Sequence, residues 1–326
     1  MKKSLRVLLL LLAMFLLTAC GKGKDKKKNR TSELKYHFAT KEEAVSIYLS
    51  NDTYFDGYSQ YDIQYRTQKK DGTIEEVKEF GASQMEDFTD EEKAGLEKTL
   101  AEMQAELKDK GLEIPDIGEI TFIKSTQKEE CGSGAYTHGT YVFLGQDYIS
   151  YATAESDVYR KAGKAGLWHE IFHCFTRKDP DFRKDMYKII HFKVQDKEYE
   201  LPPSVAAQYI SNPDVEHHNA YATFKINGKD IDCYMVMIAT KPFEKPGDSF
   251  FSCMATALVP TDGSDTYYLP EDAENFWNVV GGNTAYVIDP EECLADNFGY
   301  ALTYGMDNWD YISPEIIKKI LDYLEK

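Results

Sequence analysis

The chain has 326 residues, enough for one large domain or two modest domains, and its 38 basic and 55 acidic residues give a formal net charge of −17. The first 30 residues hold nine basic residues and one acidic residue, so residues 31–326 hold 29 basic and 54 acidic residues. This excess of negative charge argues against nucleic-acid binding and against flat attachment of the main body to an anionic membrane.

The first 20 residues have the layout of an export signal. Three basic residues precede an apolar run over residues 7–17, and residues 17–20 read Leu-Thr-Ala-Cys. The run is too short for a stable membrane span. The tetrapeptide resembles the lipobox of bacterial lipoproteins, which implies a signal peptide over residues 1–19 and a lipid anchor at Cys20. A plain secreted protein is the alternative. In either case the protein is exported, and the lipobox places it on the extracytoplasmic face of a bacterial membrane.

The stretch after Cys20 is strongly basic. Residues 21–30 hold five lysines and one arginine against one aspartate, which predicts a solvated tether over residues 20–34. We find no internal repeat, so residues 35–326 are predicted to form a single domain. Alternating residues such as 61–65, with a turn at 71–72, predict short strands in a small N-terminal lobe over residues 35–85.

Clear start and stop signals mark the next elements. Thr89 and Glu92 form a capping box for a helix that ends at Gly111. Residues 120–123 and 140–144 are rich in β-branched and aromatic residues and predict a strand pair joined by a glycine-rich segment.

The second half is predicted to mix helices and strands. A long helix should begin near Ser156 and run past Phe175, with apolar residues at helical spacing. Cys233 and Cys253 could face each other across a hairpin, although irregular cysteine spacing favours free buried thiols. Predicted strands cover residues 221–226, 231–239 and 250–259 with a turn at 227–228, and predicted helices cover residues 181–190, 271–280, 291–300 and 313–324.

The long helix carries the pentapeptide His169-Glu170-Ile171-Phe172-His173. Residues four apart lie on one face of a helix, so the imidazoles of His169 and His173 can reach one Zn²⁺ at about 2.0–2.1 Å. Glu170 is then placed beside the metal to act as a base. The alternative is a helix whose histidines are satisfied within the core. The pair His217-His218 is a weaker metal candidate and is predicted to be an exposed turn.

A catalytic zinc takes three protein ligands, so a third ligand is needed. The segment that begins at Asp289 contains Glu292 and, four residues later, Asp296. With the motif at residues 169–173, this Glu-x-x-small-Asp pattern resembles the gluzincins, the thermolysin-like zinc peptidases. The resemblance implies that Glu292 is the third ligand and that Asp296 orients His169. Glu291 remains the alternative ligand.

The chain also resembles a group of bacterial lipoproteins that pair the same two motifs, but it departs from the thermolysin type. No histidine follows His218, so a tyrosine must steady the transition state. Tyr286, six residues before Glu292, is the first candidate, and Tyr300 and Tyr304 compete with it.

Together these patterns predict an α+β, zincin-like metalloprotease fold with a mixed or antiparallel sheet. The expected activity is hydrolysis of a peptide or protein substrate by zinc-activated water, with one Zn²⁺ and with Glu170 as the general base. The substrate is expected to add to an edge strand formed by residues 140–144. The alternative is a catalytically inactive zincin-like lipoprotein that serves as an extracellular binding module.

Overall fold

The computed structural model describes residues 29–307 and 310–325, which form a mixed α+β structure. The predicted signal peptide and the anchor Cys20 lie outside the described residues. The last part of the predicted tether is described, and Arg30–Thr31 forms β1, which pairs antiparallel with β4, Ile114–Pro115. The Arg30 guanidinium lies 4.6 Å from the centre of the Tyr323 ring. The folded part therefore begins a few residues before the predicted boundary at residue 35.

The N-terminal lobe is helical, which makes the prediction of strands over residues 35–85 largely wrong. Residues 61–65 lie in a helix because Ser59 and Asp62 form a capping box that begins it. Equivalent boxes begin two other helices of the lobe. The alternation of polar and apolar residues was too short to distinguish a strand from a helix. The lobe consists of β2 (Lys35–Phe38), α1 (Lys41–Leu49), α2 (Asp52–Asp56), α3 (Gln60–Thr67), α4 (Ile74–Ser83) and β3 (Met85–Glu86).

The main sheet joins this lobe to the rest of the chain. Helix α5, Asp90–Lys110, has the predicted capping box of Thr89 and Glu92 and ends at Gly111 with φ of 68°. The strands that follow are β5 (Glu119–Ser125), β6 (Ala135–His138) and β7 (Tyr141–Leu144). The sheet order is β2-β5-β7-β6, with β3 also paired to β5.

Strands β5 and β7 pair in parallel as neighbours, and β6 pairs antiparallel with β7 at the edge of the sheet. The prediction that residues 140–144 form an edge strand is therefore wrong. Strand β7 is an inner strand because it pairs with β5 on one side and β6 on the other, and its residues Val142, Phe143 and Leu144 are fully buried. The strand next to the motif helix is β6.

The long helix forms as predicted, and the later β-segment forms a second, antiparallel sheet of order β11-β10-β9-β8. Its first hairpin turns at Asn227 and Gly228, whose positive φ values of 51° and 72° suit a tight two-residue loop. The elements are α6 (Gln146–Ala152), α7 (Asp157–Lys178), α8 (Pro180–Ile189), β8 (Lys193–Val194), α9 (Pro203–Ala206), β9 (Ala220–Ile226), β10 (Lys229–Ala239) and β11 (Met254–Pro260).

The predicted strand over residues 250–259 starts later, at Met254, because residues 250–252 form a 3-10 turn. Cys233 lies opposite Pro260 in the sheet, and both Cys233 and Cys253 are free thiols. The hairpin disulfide is therefore not formed. The chain ends with α10 (Phe276–Val280), α11 (Pro290–Tyr304) and α12 (Pro314–Leu324). None of the helices within the described ranges is both long and apolar enough to cross a membrane.

Helices α7 and α11 pack closely in the centre of the core. The ring of Phe298 lies 5.2 Å from that of Phe172 and 6.0 Å from that of Phe175. At the next residue, Gly299, an added Cβ would lie only 2.3 Å from the backbone oxygen of Ala165. The glycine therefore permits a backbone approach that any larger residue prevents.

We expect Gly299→Ala to destabilise the protein by about 1–3 kcal/mol, because overpacking at a rigid backbone contact outweighs the gain in helix propensity. Urea unfolding measures this change. Gly57→Ala is the matched control, since the nearest atom to its added Cβ lies at 3.3 Å. Equal stability of the two variants would contradict the close contact.

His138 at the end of β6 makes stability depend on pH. Burial lowers the pKa of its imidazole to about 3, and its ring packs 4.5 Å from that of Tyr54. A histidine whose folded-state pKa is depressed gives its full stability above the unfolded pKa of about 6.5, and that stability is lost as pH falls toward 3. We expect the free energy of unfolding of His138→Phe to fall less between pH 6.5 and pH 4 than that of the parent, as measured by urea unfolding.

Candidate metal centre

Helix α7 buries His169, Glu170 and His173, and its two imidazoles face the carboxylates of α11. The Nε2 atom of His169 lies 3.0 Å from Oε2 of Glu292, and Nε2 of His173 lies 3.6 Å from the same oxygen. One ligand atom from each of these three residues lies within 4.8 Å of the others. The structure thus brings together the three residues that the sequence nominated as ligands.

Neighbouring polar groups hold His169 and Glu292 in place. Asp296 Oδ1 lies 2.8 Å from Nδ1 of His169, behind the imidazole, and Thr284 donates its hydroxyl hydrogen to the other oxygen of Asp296. Asn212 donates from its side-chain amide to Oε1 of Glu292. A carboxylate behind a ligating imidazole fixes its orientation and tautomer. The predicted position of Asp296 is therefore the observed one.

Glu291, the alternative ligand, lies behind His173. Its Oε1 is 3.2 Å from His173 Nδ1 and accepts a hydrogen bond from Thr176, and its Oε2 accepts one from Tyr187 at 2.6 Å. Burial opposes the charge on Glu291, but the hydrogen bond with His173 and the nearby positive charges hold its pKa at about 2. Glu291 thus serves His173 as Asp296 serves His169, while Glu292 is the carboxylate that faces both Nε2 atoms.

The cluster has the properties of a cation site. His173 Nε2 is buried and has no hydrogen-bond partner among the described residues. Although burial opposes the charge, hydrogen bonds with Asp296 and Glu292 raise the pKa of His169 well above its usual value. A metal ion would supply the missing partner and replace that proton, because ligating imidazoles are neutral. The residues present therefore fit a metal ion held by two imidazoles and one carboxylate.

Glu170 lies on the same helix and points to β6. Its Oε2 accepts a 2.8 Å hydrogen bond from the hydroxyl of Thr137, a contact the sequence did not reveal. Burial raises the pKa of Glu170, and the imidazoles of His169 and His173 oppose that rise. A carboxyl group with a raised pKa can both accept and return a proton near neutral pH.

A cavity of about 480 Å³ opens beside His169 and Glu170 and is lined by phenol rings. The ring of Tyr286 lies 6.3 Å from that of His169, and burial raises the pKa of its phenol well above its usual value, so the hydroxyl remains a donor. The four tyrosines of the cavity are the three predicted candidates, Tyr286, Tyr300 and Tyr304, and Tyr148, which the sequence analysis missed.

Asp214 is a further acidic residue at the site that sequence patterns did not indicate. Its Oδ1 lies 3.9 Å from Nε2 of His173, and Asp214, Glu170 and His173 form a second group of donors within 4.8 Å of one another. Burial, with the charges of Glu170 and Glu292, raises the pKa of Asp214 well above its usual value. The residues around it read Ser-Asn-Pro-Asp, a composition typical of turns that carries no metal signal.

The pair His217-His218 lies outside the metal cluster. His217 is exposed and hydrogen-bonded to Glu198, as expected for a turn. His218 is half-buried, with its Nε2 2.8 Å from the hydroxyl of Tyr209.

Comparison of the chain with models of known protein families, with curated proteins and with solved structures found no match.

We expect Asn212→Ala to weaken metal binding about tenfold, because removal of a hydrogen bond that orients a ligand typically costs 10–100-fold in affinity. Competition with a chromophoric chelator measures the affinity. Asn278→Ala, at an exposed position, serves as the control and should bind as the parent does. Unchanged affinity in Asn212→Ala would show that Glu292 needs no support from this residue.

Proposed function

We propose that this protein is a zinc-dependent peptidase of the gluzincin type, anchored through a lipid on Cys20 to the extracytoplasmic face of a bacterial membrane. One observation carries the proposal. The ligand atoms of His169, His173 and Glu292 converge within 4.8 Å of one another, and Glu170 lies beside them on the same helix. Two imidazoles and a glutamate are the donor set of thermolysin-type catalytic zinc.

The surrounding fold supports a zincin-like arrangement. Strand β6 is an antiparallel edge strand of a mixed sheet, and it contacts the motif helix through Thr137 and Glu170. A second helix, α11, supplies Glu292 and Asp296. Two helices that carry the candidate ligands, beside an edge strand to which an extended peptide could add, support this part of the proposal.

The proposed chemistry is hydrolysis of an amide bond. Zn²⁺ in this site would act as a Lewis acid toward the carbonyl oxygen and toward water. Glu170, oriented by Thr137, accepts the proton of the attacking water and passes it to the leaving amine. Tyr286 keeps its proton and donates a hydrogen bond to the carbonyl oxygen as negative charge develops there.

One observation favours the second candidate, an inactive zincin-like module that binds a partner. The carboxylate of Asp214 lies close to His173, where a substrate or water would be needed. A module that binds zinc without catalysis has no need of a base at position 170. The role of Glu170 therefore separates the two candidate functions.

The first experiment measures metal content by elemental analysis on the chain from residue 21, which keeps β1 intact. We expect about one zinc in the parent and large losses in His173→Ala and Glu292→Ala, because each removes a ligand. His217→Ala and Glu271→Ala change exposed residues and should retain the metal. A parent without zinc, after purification free of chelators and addition of zinc, would refute the proposal.

The second experiment replaces the base. We expect Glu170→Gln to keep its zinc and to lose peptide hydrolysis by at least about 100-fold, since general-base catalysis contributes about 10²–10⁴-fold. A peptide library with mass-spectrometric detection measures turnover. Hydrolysis at the parent rate in this variant would favour the binding module over the enzyme.

A further inference from the structure

Residues 211–217, here called the strap, run past the candidate metal ligands. The strap belongs to neither of the helices, α7 and α11, that carry those ligands. Ser211 is anchored by buried charges of the N-terminal lobe: its N–H donates to Asp62 at 2.8 Å, and its carbonyl accepts from Arg66 at 2.9 Å. Just beyond the other end, the N–H of His218 donates to Glu198 at 2.7 Å. The strap is thus held at both ends across the site.

The middle of the strap lies against the metal ligands. Asp214 places Oδ1 3.9 Å from Nε2 of His173, which has no hydrogen-bond partner in the described part of the chain. The carboxylate also belongs to the donor group that includes Glu170. The Asp214 carboxylate therefore lies near both His173 and the proposed base Glu170, in a region where a catalytic zinc would need its open position.

The strap also occupies hydrogen-bonding groups of the edge strand. The N–H of Thr137 donates to Asp214 Oδ1 at 2.6 Å, and the N–H of Gly139 donates to Glu216 Oε1 at 2.8 Å. In an antiparallel edge strand, alternate residues direct their N–H groups away from the sheet, where an added strand would bind. The outward N–H of Thr137 in β6 and the N–H of Gly139 in the turn that follows are therefore already bonded to carboxylates of the strap.

Cavities lie on both sides of the strap. The tyrosine-lined cavity of about 480 Å³ has Asp214 in its wall. A second cavity of about 490 Å³ is lined by strap residues from Ser211 to His217 and by His138 of β6. The strap separates the two cavities along the edge strand, so its displacement would join them into one cleft that follows β6.

We propose that the strap closes the site into a latent form, in which Asp214 supplies a fourth ligand to the metal and the strap occupies the place of an extended peptide along β6. This inference rests on the proposed function. A zinc with four protein ligands resembles a structural site, whereas a catalytic site keeps one position free. Asp214 and Glu292 together also neutralise the charge of a divalent ion, which favours the closed state.

Closure lowers apparent affinity for any ligand that needs the open position. The observed dissociation constant equals the intrinsic constant divided by the fraction of open molecules. Loss of the Asp214 carboxylate raises that fraction. A small bidentate metal ligand, acetohydroxamate, reports the open position without contacting the rest of a peptide cleft.

The test uses the cobalt-substituted chain from residue 21, because Co²⁺ gives visible absorption that reports its coordination. Acetohydroxamate is titrated into the parent, Asp214→Asn, Asp214→Ala and the control Asp196→Asn, whose side chain is fully exposed. We expect both Asp214 variants to bind acetohydroxamate at least tenfold more tightly than the parent and to differ from it in the cobalt spectrum. The control should match the parent.

The outcomes separate this inference from the proposed function. Failure of the parent to bind cobalt or zinc would overturn the proposed function and this inference with it. Cobalt bound in all proteins, with equal acetohydroxamate affinity and equal spectra, would overturn the latent form alone. Amide hydrogen exchange of the parent provides a check without a variant: acetohydroxamate should speed exchange at Thr137 and Gly139, and unchanged exchange would contradict displacement of the strap.

Discussion

The close packing of α7 on α11 is the constraint on which the site depends. Gly299 lets the backbone of α11 approach the carbonyl oxygen of Ala165 at a distance that no side chain would allow. This approach places Glu292 3.0 Å from His169 and Asp296 2.8 Å from the same imidazole. Each helix carries half of the candidate metal centre, and neither half has a function until the two backbones meet.

The electrostatics of the centre follow from burial. Glu170, Asp214, Glu291 and Glu292 are buried together, and burying several carboxylates is unfavourable unless positive charge accompanies them. Imidazoles supply part of that charge, and the unpartnered Nε2 of His173 marks the place where more is needed. A divalent cation would therefore stabilise the fold as well as complete the site.

The N-terminal lobe contributes to the site through the strap. Arg66 is fully buried and bonds Asp62 at 2.7 Å and Glu130 at 2.6 Å, and this charged cluster holds Ser211. The strap in turn holds Asn212 against Glu292 and Asp214 near His173. A helical lobe far from the motif in sequence thus positions the strap beside the candidate metal ligands.

Local patterns in the sequence were sufficient for the elements with strong signals. The capping box at Thr89 marked the start of α5, and the four-residue spacing of His169 and His173 placed both imidazoles on one helix face, because helix geometry depends on neighbouring residues alone. Weak alternation misled the assignment of residues 61–65, and strand order could not be read from residues 140–144, because pairing in a sheet depends on distant segments.

The spacing of residues 169–173 nominated the two histidines and the base, because helix geometry fixes which residues share a face. The resemblance to the gluzincins nominated Glu292 and the carboxylate behind His169. Tertiary contacts alone revealed Thr137, Asn212 and Asp214. Thr137 lies near a strand end, and the other two lie in a turn, and neither segment has a local sequence pattern that distinguishes it from many others. Folding brings each of them to a site residue that is 33 to 80 positions away in the sequence. The surroundings of the candidate metal centre therefore depend on packing between segments that have no shared sequence pattern.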